Sequence, residues 1–433
     1  MKKILLSLFT ILSLCAMLRA DLNDALLHFN GTTDKNPLSY EVGEPMTFTF
    51  HFGEFNAEIP AGWKIQWVRK GDDGALADGL IVWDPAVPAS FETTLNTEGF
   101  VRIIGTLLDA EGNVVKVKDK QKERKVVLEC GAAVHPENLH GVEEPADFDE
   151  YWAKQKALLA EVPLSYSMTK LQPTQQGLDV YAVSIACAGG RPVTGFMTIP
   201  QDAAEKSLPA TVNFMGYSYN KEMFQTIPNW GRPNCIFFTI NAHGADLLKD
   251  DAYYDAYGEA IKSNGFSYAF DPAQNANPDT AYFHGMVLRV LRALEFVKSL
   301  PAWNGKDLCA VGGSQGGLQT IWAAALDHDV TLANPSIPWC CDLGGAETFQ
   351  RICGDWRLQY VRALDYYDCV HMARRIQCPV EILRAGLGDY TCPPSGIAVF
   401  YNNLTVPKKI NWYQGSTHGY VPLDPEIFTV NKK

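Results

Sequence analysis

The sequence predicts an α/β protein with a mostly parallel central sheet, preceded by a small all-β immunoglobulin-like sandwich. Three observations carry that prediction. The chain has 433 residues, about twice what a single hydrophobic core supports, so two folded units are expected. Its first third contains runs that alternate apolar and polar residues with period two between glycine-marked turns. From about residue 145 onward, short apolar runs alternate with amphipathic helical stretches, the pattern of a sheet buried between helix layers.

Composition narrows the function classes. With 47% hydrophobic and 20% charged residues the chain can fill large cores, which excludes an intrinsically disordered protein. The 37 basic against 49 acidic residues leave a net charge of −12, so nucleic acid is not an expected partner.

Taken in order, residues 1–20 read as a signal peptide: Lys2 and Lys3, an apolar run from Ile4 to Leu18, then Ala20 before Asp21. Export to the periplasm or the medium is expected. A lipoprotein reading through Cys15 is weaker, because Leu14 stands where a lipid-attachment signal wants a small residue. No later apolar segment is long enough to insert in a membrane.

Residues 21–134 read as the sandwich, with strands at Met46–Phe52, Lys64–Lys70 and Phe91–Asn96 and a hairpin turn at Asp109–Asn113. Trp63, Trp67 and Trp83 could form a sugar-stacking platform, but core packing is the favoured reading. Residues 135–144 form a polar linker, and the α/β unit occupies residues 145–433. There Asp147 or Asp149 caps a helix through Ala160. Strands are expected at Leu178–Cys187, Val193–Ile199, Ala210–Phe214, Cys235–Asn241, Leu308–Val311, Pro379–Ala385 and Lys409–Tyr413, with a long helix over His284–Leu300. Ten cysteines follow the leader at irregular spacing. Most read as small buried hydrophobes rather than disulfides or a zinc site.

The chemistry concentrates in one stretch. Leu308 to Leu318 is an apolar strand, then Gly312-Gly313-Ser314-Gln315-Gly316-Gly317, then an alanine-rich helix. Glycines two before and two after a serine permit a sharp strand-to-helix turn that exposes the hydroxyl, the nucleophile elbow. A serine nucleophile needs a base and the base an orienting acid. Asp389 follows the strand Pro379–Ala385 and is the expected acid. His418 stands in the loop after Lys409–Tyr413, read as the last strand, and is the expected base. The oxyanion hole needs two backbone N–H groups. Gln315, after the nucleophile, and Tyr217, after the strand ending at Phe214, are the expected donors.

From Pro145 onward the chain resembles the acetyl xylan esterase and cephalosporin-C deacetylase family of α/β hydrolases. The resemblance rests on residues 145–152 (PADFDEYW), 292–296 (RALEF), 312–317 (GGSQGG), 375–380 (RIQCPV) and 386–395 (GLGDYTCPPS). It implies an α/β-hydrolase fold that removes O-acetyl groups from sugars through Ser314, His418 and Asp389, with no metal or organic cofactor. The implied partner is an acetylated carbohydrate; an oligomer stays open. Two segments differ from the family pattern: Asn241-Ala242-His243-Gly244 stands where an Asp-x-Arg-Gly-Gln run is usual, and Met215-Gly216-Tyr217 replaces His-Gly-Tyr. His243 is either a pocket residue that binds substrate hydroxyls or a structural loop histidine. Rival readings are an esterase for another acyl group, such as feruloyl, and a noncatalytic glycan-binding protein.

Overall fold

The computed structural model describes residues 26, 29–52, 59–119, 122–218 and 221–432. The leader and Cys15 lie outside the described residues. Strands β1 (Phe29–Thr33), β2 (Met46–Phe52), β3 (Lys64–Gly71), β4 (Leu76–Val82), β5 (Ala89–Thr93), β6 (Gly99–Leu108), β7 (Lys116–Asp119), β8 (Lys122–Lys125) and β9 (Val127–Val134) form an N-terminal all-β region. A sheet of order β1-β2-β5 and a sheet of order β4-β3-β6-β9 share one core, with β7 and β8 paired as a ribbon. All their pairings are antiparallel.

Alternation makes this core. In β2, Met46, Phe48, Phe50 and Phe52 point inward while the threonines between them are partly exposed. The three tryptophans join it rather than forming a surface platform. Trp67 stacks on Phe91 at 4.1 Å between ring centroids, and Trp83 meets Phe52 edge-on at 4.9 Å. Trp67 also lies over Gly79, where a Cβ would fall 2.5 Å from the indole ring.

The second body is a ten-stranded sheet of order β10-β11-β12-β14-β13-β15-β16-β17-β18-β19. Its strands are β10 (Tyr166–Leu171), β11 (Leu178–Ile185), β12 (Val193–Pro200), β13 (Leu208–Phe214), β14 (Ile236–Asn241), β15 (Trp303–Gly313), β16 (Leu332–Ser336), β17 (Val380–Gly386), β18 (Lys408–Tyr413) and β19 (Ile427–Lys432). From β14 to β18 the ladder is parallel; β10, β11 and β12 at one edge and β19 at the other run antiparallel. One expectation changes here: His418 does not follow the last strand, because β19 comes after it.

The helices Tyr282–Ser299 and Gln315–Leu326 pack on this sheet. The latter is buried at every position, as its apolar, alanine-rich sequence requires. Asp147 does sit at the start of the helix Phe148–Ala160, but its side chain makes no cap. It accepts the Tyr366 hydroxyl instead. Residues 135–144 are tied down rather than free: Asn402 donates to the Pro136 and Leu139 carbonyls at 2.9 and 3.0 Å. The ten cysteines of the described region are all unpaired. No helix among the described residues is long and apolar enough to cross a membrane.

Candidate active site

The parallel strands place the candidate residues on one rim. After β13 the chain crosses to β14 on one side and then to β15 on the other, so the carboxyl ends of β13 and β15 flank the point where strand order reverses. Clefts in open α/β sheets form at such a point. Tyr217 follows β13 and Ser314 follows β15.

Ser314 has φ 57° and ψ −121°, a backbone region that costs a non-glycine residue about 1–3 kcal/mol. Surrounding hydrogen bonds hold it there. Its N–H donates to the Ser336 carbonyl at 3.0 Å, and its carbonyl accepts from the N–H groups of Trp339 and Leu318, both at 3.1 Å. The neighbouring glycines are needed for space. A Cβ on Gly316 would fall 2.1 Å from the Phe214 carbonyl oxygen, and one on Gly312 would fall 2.5 Å from the Gly316 carbonyl oxygen.

Asp389 lies three residues past β17 and is fully buried. Its Oδ1 accepts the N–H groups of Thr391 and Cys392, each at 3.0 Å. Its Oδ2 is 3.0 Å from His418 Nδ1. With Nδ1–H donated to the carboxylate, Nε2 is left as the free acceptor of the ring. Cys392 brings Ser314 into the group, since its thiol lies beside the Ser314 side chain. The ligand atoms of Cys392, Asp389 and His418 all lie within 4.8 Å of one another. Burial pushes the Cys392 thiol well above its ordinary pKa, so it stays protonated.

The segments that carry the expected oxyanion donors are cross-braced. The Gln315 side chain, fully buried, accepts the Tyr268 hydroxyl at 3.1 Å. One turn along the helix, Gln319 donates to the Met215 carbonyl at 3.0 Å. The Tyr217 ring stacks on Tyr268 at 4.2 Å, and its hydroxyl donates to the Tyr268 carbonyl at 3.0 Å. The loop after β13 and the first turn of the Gln315–Leu326 helix are thereby locked together.

His243 needs a correction. It is buried, its Nδ1 accepts the Tyr282 hydroxyl at 2.8 Å and its Nε2 donates to the Ser218 carbonyl at 3.1 Å. Burial, with Arg289 adding like charge, pushes its pKa down to about 3. A neutral ring with both nitrogens engaged has nothing left for a substrate hydroxyl; its place is under the loop that carries Tyr217.

Sequence reasoning missed four residues of this rim. Gln319 stands at helical spacing from Gln315, and that spacing could have found it. Tyr268, Trp339 and Trp356 come from irregular segments and carry no local signal. Trp356, 41% exposed, stacks on Trp339 at 5.1 Å and meets the Tyr217 ring edge-on at 4.7 Å.

Three comparisons bear on this arrangement. The profile of the acetyl xylan esterase (AXE1) family matches residues 139–427. An acetyl esterase of Xylanibacter ruminicola, Axe7A, is 28% identical over 276 residues, and the chain spans 61% of the length of this curated relative and matches over 61% of its own. Among solved structures, an acetyl xylan esterase from Paenibacillus sp. R4 superposes with a TM-score of 0.53 at 25% identity, covering 66% of this chain and 94% of that one. Acetyl Xylan Esterase 1 from Thermoanaerobacterium sp. JW/SL YS485 gives the same TM-score at 21% identity, over 65% of this chain and 92% of that one, a likeness of fold. The profile match runs from the segment before the first helix of the α/β body to the start of β19, and with it the chain belongs to the acetyl xylan esterase (AXE1) family.

Proposed function

We propose that the protein is an exported serine esterase that removes O-acetyl groups from a plant-type polysaccharide or its oligosaccharides. The observation that carries the reading is the convergence, on the rim of the sheet, of a strained Ser314 with a half-exposed His418 hydrogen-bonded to the buried Asp389. Membership of the acetyl xylan esterase family supplies the acyl group and the sugar. The leader at residues 1–20 supplies the periplasmic or extracellular destination.

In the proposed mechanism His418 Nε2 takes the Ser314 proton as Oγ attacks the acetyl carbonyl. The N–H groups of Gln315 and Tyr217 receive the oxyanion. His418 then protonates the departing sugar oxygen, leaving an acetyl-serine. Next it deprotonates a water that releases acetate and restores Ser314. Asp389 fixes the tautomer of the imidazole and stabilises its charged form. These side chains supply the acid, base and nucleophile without a cofactor.

One more observation favours a sugar as the alcohol. Trp356, 41% exposed beside Tyr217, offers aromatic surface of the kind on which pyranose rings pack. An acyl-length series on one alcohol tests the assignment. Acetyl esters should turn over fastest, with kcat/KM falling as the chain grows to butyryl and feruloyl. Preference for feruloyl esters would replace acetyl with that acyl group. Failure of a serine-directed phosphonate to label the folded protein, with saturable glycan binding intact, would favour a noncatalytic glycan-binding protein.

A further inference from the structure

The loops that carry Asp389 and His418 do not stand on the α/β body alone. Gln414 directly follows β18, four residues before His418, and is fully buried. Its side-chain amide pairs with one residue of the N-terminal region in both directions. Nε2 donates to the Gly131 carbonyl at 2.8 Å, and Oε1 accepts the Gly131 N–H at 3.1 Å. Gly131 lies on β9, an edge strand of its sheet, so the glutamine amide caps backbone groups that would otherwise be unpaired.

The acid loop abuts the same strand. Gly388, the residue before Asp389, is so close to β9 that a Cβ there would fall 2.2 Å from the Glu129 carbonyl oxygen. In return, a Cβ on Gly131 would fall 2.7 Å from the Leu387 carbonyl oxygen. Just past Asp389, the buried Tyr390 ring lies under Arg102 of β6 at 4.3 Å, and Arg102 is itself paired with Glu129. The two loops are also joined to each other, Gly388 N–H donating to the Ser416 carbonyl at 3.0 Å. Behind them Phe100 packs on Trp412 at 5.5 Å.

We propose that the N-terminal sandwich is a fixed abutment for the acid and base, and that Gln414 and Gly388, seated on Gly131 and Glu129 of β9, are positioning residues for the His418–Asp389 pair. The proposal rests on the catalytic reading of Ser314, His418 and Asp389. It gives the N-terminal region a part in turnover that needs no sugar contact. Neither residue touches substrate; each acts through the loop it anchors. A reacting group displaced by about 1 Å costs on the order of a hundredfold in rate, and both contacts are tight enough to transmit such a shift.

The test uses the full chain and a small chromogenic acetyl ester, which reads turnover without any glycan contact. Gln414→Ala removes both bonds to Gly131, and Gly388→Ala drives a methyl into the Glu129 carbonyl. Gln414→Glu, which keeps the bulk but turns an oxygen onto the Gly131 carbonyl, stands in if Gly388→Ala does not fold. Leu95→Ala, in the buried core of the N-terminal region and outside both loops, is the stability control. The loop variants should lose at least tenfold in kcat with KM held within about threefold. They should also lose or broaden the low-field proton resonance of the His418–Asp389 hydrogen bond. Leu95→Ala should lower the unfolding temperature yet keep kcat within about twofold and keep that resonance. Loop variants that are folded and turn over within twofold of wild type overturn the proposal. So does a Leu95→Ala variant whose kcat falls as far as theirs for the same loss of stability. Ser314→Ala in the same assay separates the two readings: if it stays active, the catalytic assignment fails, whereas if it is dead and Gln414→Ala is normal, only the abutment does.

Discussion

Replacing Gly316 by alanine tests the steric argument for the elbow, and Gly313 supplies its matched control. A Cβ on Gly316 would sit 2.1 Å from the Phe214 carbonyl oxygen and 2.9 Å from the Phe214 carbonyl carbon. Carbon–oxygen contacts close no tighter than about 3.3 Å, so the first helical turn must move away from β13 by about 1 Å. Both partners are backbone, which leaves no flexible side chain to absorb the shift. Overpacking of this kind costs about 1–3 kcal/mol of stability. The same shift separates the Gln315 N–H from the Tyr217 N–H, and a 1 Å error in such an arrangement costs about a hundredfold in rate, equivalent to about 2.7 kcal/mol. At Gly313 the nearest atom to an added Cβ is the Ser336 carbonyl oxygen at 3.8 Å, so alanine should change stability by no more than about 0.5 kcal/mol. The assay is thermal unfolding of both variants together with kcat on a chromogenic acetyl ester. If Gly316→Ala unfolds at the wild-type temperature with wild-type kcat, or if the two variants are equally destabilised, the packing argument is refuted.

Other outcomes follow from the same geometry. Asp389→Asn should leave the fold intact, because the Thr391 and Cys392 N–H donors still meet an oxygen. It should lower kcat by about ten-thousand-fold through the wrong His418 tautomer, and near-wild-type turnover would remove Asp389 from the mechanism. Trp356→Ala should raise KM for acetylated xylo-oligosaccharides by roughly three- to tenfold, the worth of one aromatic stack, while leaving a small acetyl ester unaffected; equal effects on both substrates would speak against stacking. Burial pushes the His371 imidazole down to about 4, and its Nε2 has no partner among the described residues. The unfolded chain therefore binds a proton below pH 6.5 that the native protein refuses, so stability falls as pH drops from there to about 4, by up to about 3 kcal/mol. His371→Phe, packing against Phe148, should flatten the dependence of unfolding temperature on pH in that window; an unchanged slope would contradict the assignment.

What could be read from the sequence follows from where the signal lies. The elbow is local: strand, glycine pair, serine, glycine pair and helix occupy consecutive residues, so Ser314 and its setting were visible at once. The carboxyl end of β17 likewise marked the rim on which Asp389 sits. Strands β10 and β19 carried no such signal because they are edge strands, largely solvent-facing and polar, with little apolar alternation to detect. β16 was hidden for another reason. Its sequence, Leu332-Ala333-Asn334-Pro335-Ser336, has a proline and two polar residues, and it is a strand because β15 and β17 lie on either side of it.

The missed parts of the site are long-range. Gln414 and Gly131 are 283 residues apart, and nothing near either one announces the other. Nothing in the sequence around His243 decides between a pocket residue and a structural loop histidine. Only its two hydrogen bonds show that the ring faces inward. The aromatic rim of Tyr217, Tyr268, Trp339 and Trp356 is drawn from separate loops, so no periodicity could have assembled it.

Acetate release from acetylated xylan, by wild type and Ser314→Ala side by side, tests the central claim most directly. The account predicts release by the wild type and none above background by a Ser314→Ala protein of unchanged fold. Release at the wild-type rate by the variant, or none by either protein on acetylated xylan and a chromogenic acetyl ester alike, would contradict it.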